Sequence, residues 1–310
     1  MLIAVALASA VAAALVVSHI DRTVPQSAPP VGGGFALVPL SSRSFPQNVS
    51  WVTVCSVSAV ETADPIVFPG QPGQGHSHTF SGALNVDAFS TADTLKAGDT
   101  NCTNKGDHAA YWMPTLFSGG EAKMPYTTRV YYRAGTFDTR SLRPIPFGLK
   151  MVAGSATATV PQSAGIAGFH CREEDNGPTV SKQALPPQCP TNSLFEASVS
   201  FPNCWDGVHL DSADHRSHMA YAKNYICDQD HPVMIPQITI AERFKPGDVD
   251  GGQVTLAAMP GMTPTNVTLH ADFINAWDED LMKQLMRDCL RASRSCAGVT
   301  DRRMPPVSAE

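Results

Sequence analysis

Charge is scarce in this chain. Only 16% of its 310 residues are Asp, Glu, Lys or Arg, against roughly 25% in ordinary globular proteins. What charge there is leans acidic, with a formal net of −6. No basic excess exists to displace counterions from phosphates, which argues against nucleic acid as a partner. Sustained helical periodicity is also missing, which excludes a coiled coil or helical bundle. No Cys-x-x-Cys pair occurs, so a thiolate zinc site or a thioredoxin-type centre is not expected. The chain has no Gly-x-Ser-x-Gly elbow, phosphate loop or dinucleotide fingerprint, which excludes an α/β-hydrolase, an NTPase and a nicotinamide enzyme.

Long apolar runs are confined to one place, Leu2 to Val17, interrupted only by Ser9. The run is short for a bilayer span, which needs about 20 residues. It reads as an export signal, although no Lys or Arg precedes it; an uncleaved anchor reaching Ile20 is the alternative. Residues 21–47 carry five prolines and the run Gly32-Gly33-Gly34, the composition of a linker. The expected organisation is a signal peptide or anchor over 1–20, a linker over 21–47, one β-rich domain over 48–300 and a disordered tail over 301–310. Beyond the signal or anchor, no membrane association is expected.

Eight cysteines are present: Cys55, Cys102, Cys171, Cys189, Cys204, Cys227, Cys289 and Cys296. An even number behind an export signal reads as four disulfides and a secreted, periplasmic or cell-surface location. Sequence does not fix connectivity. Sequential pairing, 55–102, 171–189, 204–227 and 289–296, is the expected arrangement because it closes short loops.

Glycine and proline are abundant, 23 and 25 residues, and they separate short alternating segments. Trp51–Cys55, Arg129–Arg133, Phe147–Val152, Ile238–Ala241 and Val254–Ala257 read as strands. The clearest alternation sets Phe195, Ala197, Val199 and Phe201 against Glu196, Ser198 and Ser200. The fold expected is mainly β, a β-sandwich or jelly-roll-like core with long disulfide-braced loops. One C-terminal helix is expected. Asp278-Glu279-Asp280 opens it, and Leu281, Leu285 and Cys289 form its apolar stripe.

Six of ten histidines fall in three short polar segments. In the first, His76 and His78 at i, i+2 share a face if extended. In the second, which begins Cys204-Trp205-Asp206, Asp211, His215 and His218 share a face if helical. In the third, Val267, Leu269, Ala271 and Phe273 alternate with polar residues, which places His270 beside Asp272. Neutral imidazoles with carboxylates hold divalent metals, while a His oriented by Asp serves as a general base. The same residues could also simply brace long loops. The metal candidates are His76, His78, His215 and His218. The catalytic candidates are His78, Asp206, Asp211, His218, His270 and Asp272. Tyr111, Trp112, Trp205 and Trp277, with Tyr131 and Tyr132, are candidates for a sugar-stacking platform; plain core packing is the competing reading.

Taken in order, these segments carry a family resemblance. Asp64-Pro65-Ile66-Val67-Phe68-Pro69-Gly70 leads to Ser77-His78, then to Tyr111-Trp112-Met113-Pro114. Phe201-Pro202-Asn203-Cys204-Trp205-Asp206-Gly207 runs on to Leu210-Asp211-Ser212 and His215-Arg216-Ser217-His218-Met219-Ala220-Tyr221. His270-Ala271-Asp272-Phe273-Ile274-Asn275-Ala276-Trp277 closes the series. The chain resembles the secreted domain of unknown function 1996 family over about residues 50 to 290. His209 and Ala276 depart from the family pattern, which sets His209 aside as a ligand. The resemblance implies secretion and a shared site drawn from His76 or His78, Asp206, Asp211, His215, His218, His270 and Asp272. It supplies no reaction.

Three functions are therefore open. The first is an extracellular enzyme acting on polysaccharide or cell-wall polymer, either by lyase-type proton abstraction or by hydrolysis with a divalent metal as cofactor. The second is a non-catalytic module that binds carbohydrate or metal, and the third is a structural secreted protein.

Overall fold

In the computed structural model, residues 48–173 and 182–296 are described. The expected signal segment, linker and tail lie outside the described residues. In chain order the elements are β1 (Ser50–Cys55), β2 (Val57–Thr62), β3 (Ser77–Gly82), α1 (Ala92–Ala97), β4 (Ala110–Pro114), β5 (Leu116–Ser118) and β6 (Glu121–Lys123). There follow β7 (Thr127–Arg133), β8 (Lys150–Gly154), β9 (Ala167–Arg172), β10 (Leu194–Ser200), β11 (Cys204–Trp205), β12 (Met219–Ala220) and β13 (Val233–Met234). The last are β14 (Gln237–Phe244), β15 (Val254–Leu256), β16 (His270–Ile274) and α2 (Glu279–Leu285).

Two five-stranded antiparallel sheets dominate, ordered β1-β7-β14-β10-β9 and β2-β3-β4-β16-β8. Alternation sets their packing, because successive side chains on a strand point to opposite faces. Trp51, Val130, Tyr132, Ala197, Val199, Ile238 and Ile240 of the first sheet share one core with Tyr111, Met113, Met151, Ala153, Ala271 and Phe273 of the second. Hydroxyls also meet across this layer. Tyr111 and Tyr132 lie 2.6 Å apart, and Trp277 Nε1 donates to the Tyr132 hydroxyl at 2.8 Å. The sandwich is therefore real, and of the rings expected on a sugar platform its core holds Tyr111, Tyr132 and Trp277, while Trp112 packs on the outer face of the second sheet and Tyr131 and Trp205 are half-buried. Tyr111, Trp112, Tyr132 and Trp277 are at most 1% exposed, so none offers a face to a ligand. The segment around Tyr111 and Trp112 is central strand β4, not a loop.

The outer face of the second sheet is buried too. Phe80, Trp112, Val152 and Ile274 pack there beneath Ala63, Ile66, Val86, Ala88 and Leu95 of the 63–98 segment, which carries α1. This cover creates a second, smaller core, and it makes the polar residues on that face interior groups. The C-terminal helix is present. The Asp278 carboxylate accepts from Leu281 N at 3.1 Å to cap it, and a π-helical turn continues it over Met286–Leu290. Among the described residues no helix is long and apolar enough to cross a membrane.

All four disulfides follow the sequential pairing: Cys55–Cys102, Cys171–Cys189, Cys204–Cys227 and Cys289–Cys296. No cysteine is free.

Candidate metal centre

Two strands and one loop build the site. β3 places His78 on the outer face of the second sheet, in register with Pro114 of β4. β16 places His270 and Asp272 on the same face, two residues apart as alternation requires. Opposite His270 in β8 stands Gly154, at φ +74°. A Cβ there would come within 2.5 Å of the Leu269 carbonyl oxygen, so only glycine lets β8 approach the His270 strand this closely. The glycine- and proline-rich loop 69–75 ends at Gly75, φ +91°, and delivers His76 beside the other two imidazoles.

The three rings converge. Their centroids are 4.2 Å apart for His76 and His78, 5.0 Å for His76 and His270, and 5.7 Å for His78 and His270. One nitrogen from each lies within 4.8 Å of the others. Backbone carbonyls fix the tautomer of two of them. His78 Nδ1 donates to the Ala63 oxygen at 2.8 Å, and His270 Nδ1 donates to the Thr268 oxygen at 2.7 Å. In a neutral imidazole this leaves Nε2 as a bare lone pair. His78 Nε2 is buried and has no hydrogen-bond partner among the described residues. His270 Nε2 lies 3.1 Å from His76 Nε2, and His76 Nδ1 lies 3.2 Å from the Met259 sulfur.

Burial keeps these rings neutral. Desolvation pushes His76 down to about 4 and His270 to about 3. It drives His78 well below the ordinary histidine range, helped by the neighbouring His76 and His270. Carboxylates flank the cluster. Asp64, His78 and Asp272 also form a group whose ligand atoms lie within 4.8 Å of one another. Both Asp272 oxygens are buried without a partner among the described residues. Burial pushes this carboxyl well above its usual range, with repulsion from Asp64 adding to it and Arg216 partly offsetting it. Asp64 is raised by burial against opposing hydrogen bonds from Val67 and Ile66; its Oδ1 accepts both amides, at 2.9 and 3.0 Å. Sequence reasoning quoted Asp64 in the family series but did not place it at a site. An Asp ahead of Pro reads as a turn residue, and its position over β3 is a tertiary fact.

The second polar segment does not join the imidazoles. Residues 206–218 form turns, not the helix that a shared face for Asp211, His215 and His218 required. Asp206 Oδ1 accepts from Val208 N and His209 N, and its Oδ2 lies 2.6 Å from His209 Nδ1. Asp211 bonds His215 Nδ1 at 2.8 Å and Lys150 Nζ at 3.4 Å. His218 Nε2 donates to the Lys150 carbonyl, and its Nδ1 sits 2.9 Å from Ser212 Oγ. Lys150 N also donates to the Leu210 carbonyl. These bonds strap the loop along β8 and cover a sheet edge that would otherwise expose unpaired amides. His218 therefore braces the loop with both nitrogens committed, and His215 does so through Nδ1. Trp205 is half-buried, and its indole N–H donates to the His209 carbonyl at 2.7 Å. Cys55, Cys102 and Asp107 also cluster, but both sulfurs are consumed in a disulfide.

The arrangement suits a divalent transition ion. Imidazole nitrogens bind such ions at about 2.0–2.1 Å, so two ligands in tetrahedral to right-angled geometry sit roughly 3.0–3.4 Å apart, the range of the His76–His270 separation. A backbone carbonyl holding the remote nitrogen is the usual support for a metal-binding histidine.

The sequence model of the family described as domain of unknown function (DUF1996) matches residues 64–277. That span begins at the Asp64 turn and ends at Trp277, and it contains every residue of the site. No curated protein and no solved structure matches the chain.

Proposed function

Since the chain belongs to the domain of unknown function 1996 family, whose description carries no activity, its role has to come from its own residues; we propose that it is an exported metalloprotein. Its centre holds one divalent transition ion through Nε2 of His76, His78 and His270, with the Asp272 carboxylate as a further ligand and Asp64 beside it. One observation carries this reading: three neutral imidazoles bring one nitrogen each to one buried point beside an unpartnered Asp272 carboxyl, with His78 and His270 locked by backbone carbonyls so that Nε2 is the acceptor, and His76 Nε2 3.1 Å from His270 Nε2. Without an ion, His78 Nε2 and both Asp272 oxygens stay buried and unsatisfied among the described residues, each such group costing about 1–3 kcal/mol. Four disulfides fit an oxidising compartment.

Of the two chemistries open from sequence, the site favours the metal-assisted one. An ion held by His76, His78 and His270 would supply Lewis-acid activation of a water where its fourth position stayed open, and Asp272 as a fourth ligand would close the set. At His270, proton abstraction by an Asp-oriented histidine lacks support, because its Nδ1 bonds the Thr268 carbonyl and not Asp272; the histidines that an Asp does orient, His209, His215 and His231, stand outside the three-imidazole group.

The test is metal content. After chelation and reloading with Zn²⁺ or Cu²⁺, the protein is expected to hold one ion per chain by elemental analysis. His78→Ala and His270→Ala should lose it, whereas His218→Ala and Asp211→Ala should keep it. Equal metal content in all four variants, or none in the parent, would sink the reading.

A further inference from the structure

The opposite side of the sandwich carries a different concentration of charge. The outer face of the first sheet holds a cleft of about 400 Å³ lined by β7, β9, β10 and β14. Its floor is a buried ion network. Glu196 accepts from Arg172 Nε at 2.8 Å and Arg243 Nε at 2.7 Å, and its other oxygen meets His170 Nε2 at 2.9 Å. Burial pushes the Glu196 carboxyl up, but these partners outweigh it and hold the group near 2. Its charge is therefore fully committed.

Two further cations face the same cleft without a close ion pair among the described residues; Glu196 attracts both, but Arg172, Arg243 and His170 already hold it. Arg133 stands with its guanidinium 4.6 Å from the Tyr131 ring centroid and donates to Thr239 Oγ1 at 2.9 Å. Lys182 has its backbone fixed by the reciprocal Phe169–Gln183 bonds beside it. Its stem lies across Gly168, and among the described residues its ammonium donates to the Ile166 carbonyl alone, at 3.5 Å. Desolvation lowers both groups, Lys182 to about 8. Partly buried cations that share one already committed counter-charge are costly unless a further anion completes them. Around them stand hydroxyls: Ser198, Ser200 and Thr239 line the cleft with Tyr131.

We infer that this cleft binds an acidic sugar unit, with Arg133 and Lys182 taking its oxyanion and the hydroxyls of Ser198, Ser200 and Thr239 bonding its ring hydroxyls. The planar guanidinium of Arg133 matches a uronate carboxylate or a sulfate ester alike. The cleft is far larger than a bare oxyanion, and its lining is rich in hydroxyl groups that can both donate and accept. The inference is independent of the metal centre, which lies on the other sheet.

The test is titration calorimetry at low ionic strength on the intact disulfide-bonded protein. The probes are trigalacturonate, a sulfated galactose trisaccharide, neutral cellotriose, acetate and inorganic sulfate. At least one acidic trisaccharide is expected to bind tenfold or more tightly than cellotriose and than either simple anion. Arg133→Gln and Lys182→Gln should each weaken it at least tenfold, while His78→Ala should leave it unchanged. Lys182→Gln, at the half-exposed rim, keeps the test decisive should Arg133→Gln fail to fold. Absence of binding by both acidic probes, equal binding of cellotriose or of a simple anion, or unchanged affinity in a folded Lys182→Gln protein would overturn the proposal.

Discussion

Asp272 separates what the residues of the centre do for folding from what they do for a ligand. Its two oxygens are buried without partners, so the carboxylate is a cost to the apo protein and a benefit only with a cation beside it. Asp272→Asn is therefore expected to raise the melting temperature of the metal-free protein and to weaken metal affinity about 10–100-fold. Paired thermal melts with and without Zn²⁺ check both halves; a variant less stable in both states would mark Asp272 as structural. At this scale sequence reasoning reached part of the site. The pairing of His270 with Asp272 was legible because strand alternation alone puts i and i+2 on one face. A common site for His76 or His78 with His270 was implied only by the family resemblance and not by spacing, since their convergence requires β3 and β16 to flank β4 in one sheet. His215 and His218 misled for a physical reason. Their 4 and 3 spacing matches a helix, but side-chain bonds from Asp211, Ser212 and Asp214 to nearby groups compete with helical ones.

Among the elements, β14 carries the least expected feature. The sequence pattern read only Ile238 to Ala241 as strand. The strand instead runs to Phe244, and Glu242 turns inward between Ala197 and Thr128. Desolvation pushes its carboxyl up to about 8. The unfolded chain ionises near 4.5, so the native state holds the extra proton between those values. Stability is thus lost as pH rises from about 4.5 to 8, a term of order 3 kcal/mol at about 1.4 kcal/mol per pK unit once structural relaxation is allowed for. Glu242→Gln should flatten this decline between pH 5 and 8 in denaturant melts. An unchanged slope would mean that the carboxyl is solvated. Other elements were plainer. Phe195, Ala197 and Val199 face the core as their alternation implied, whereas β4 was hidden because Ala110–Met113 is buried on both faces and shows no alternation.

For the molecule as a whole, two wrapped sheets and four covalent links set the stability. Cys55–Cys102 encloses the longest stretch, with a sequence separation of 47, and ties β1 to the segment before β4. In the chain-entropy picture a loop of that size contributes about 4 kcal/mol, more than the short Cys289–Cys296 link. Replacing both Cys55 and Cys102 by Ala should therefore lower the unfolding free energy more than the same change at Cys289 and Cys296. Equal losses in urea titrations would show that the links act through local packing and not loop closure. The sandwich was legible from alternation; the disulfide pairing matches the short-loop expectation, although cysteine order alone left it open. The burial of the second sheet's outer face under the 63–98 segment was not, because nothing local marks a loop as a lid. That burial makes a row of polar side chains into a candidate metal centre.

The most direct measurement of that centre is anomalous diffraction at the zinc edge from crystals of the protein reloaded with Zn²⁺. A single strong peak about 2.0–2.1 Å from Nε2 of His76, His78 and His270, with Asp272 on its remaining side, is the expected result. A peak at His215, His218 or His209, or none within reach of the three imidazoles, would contradict it.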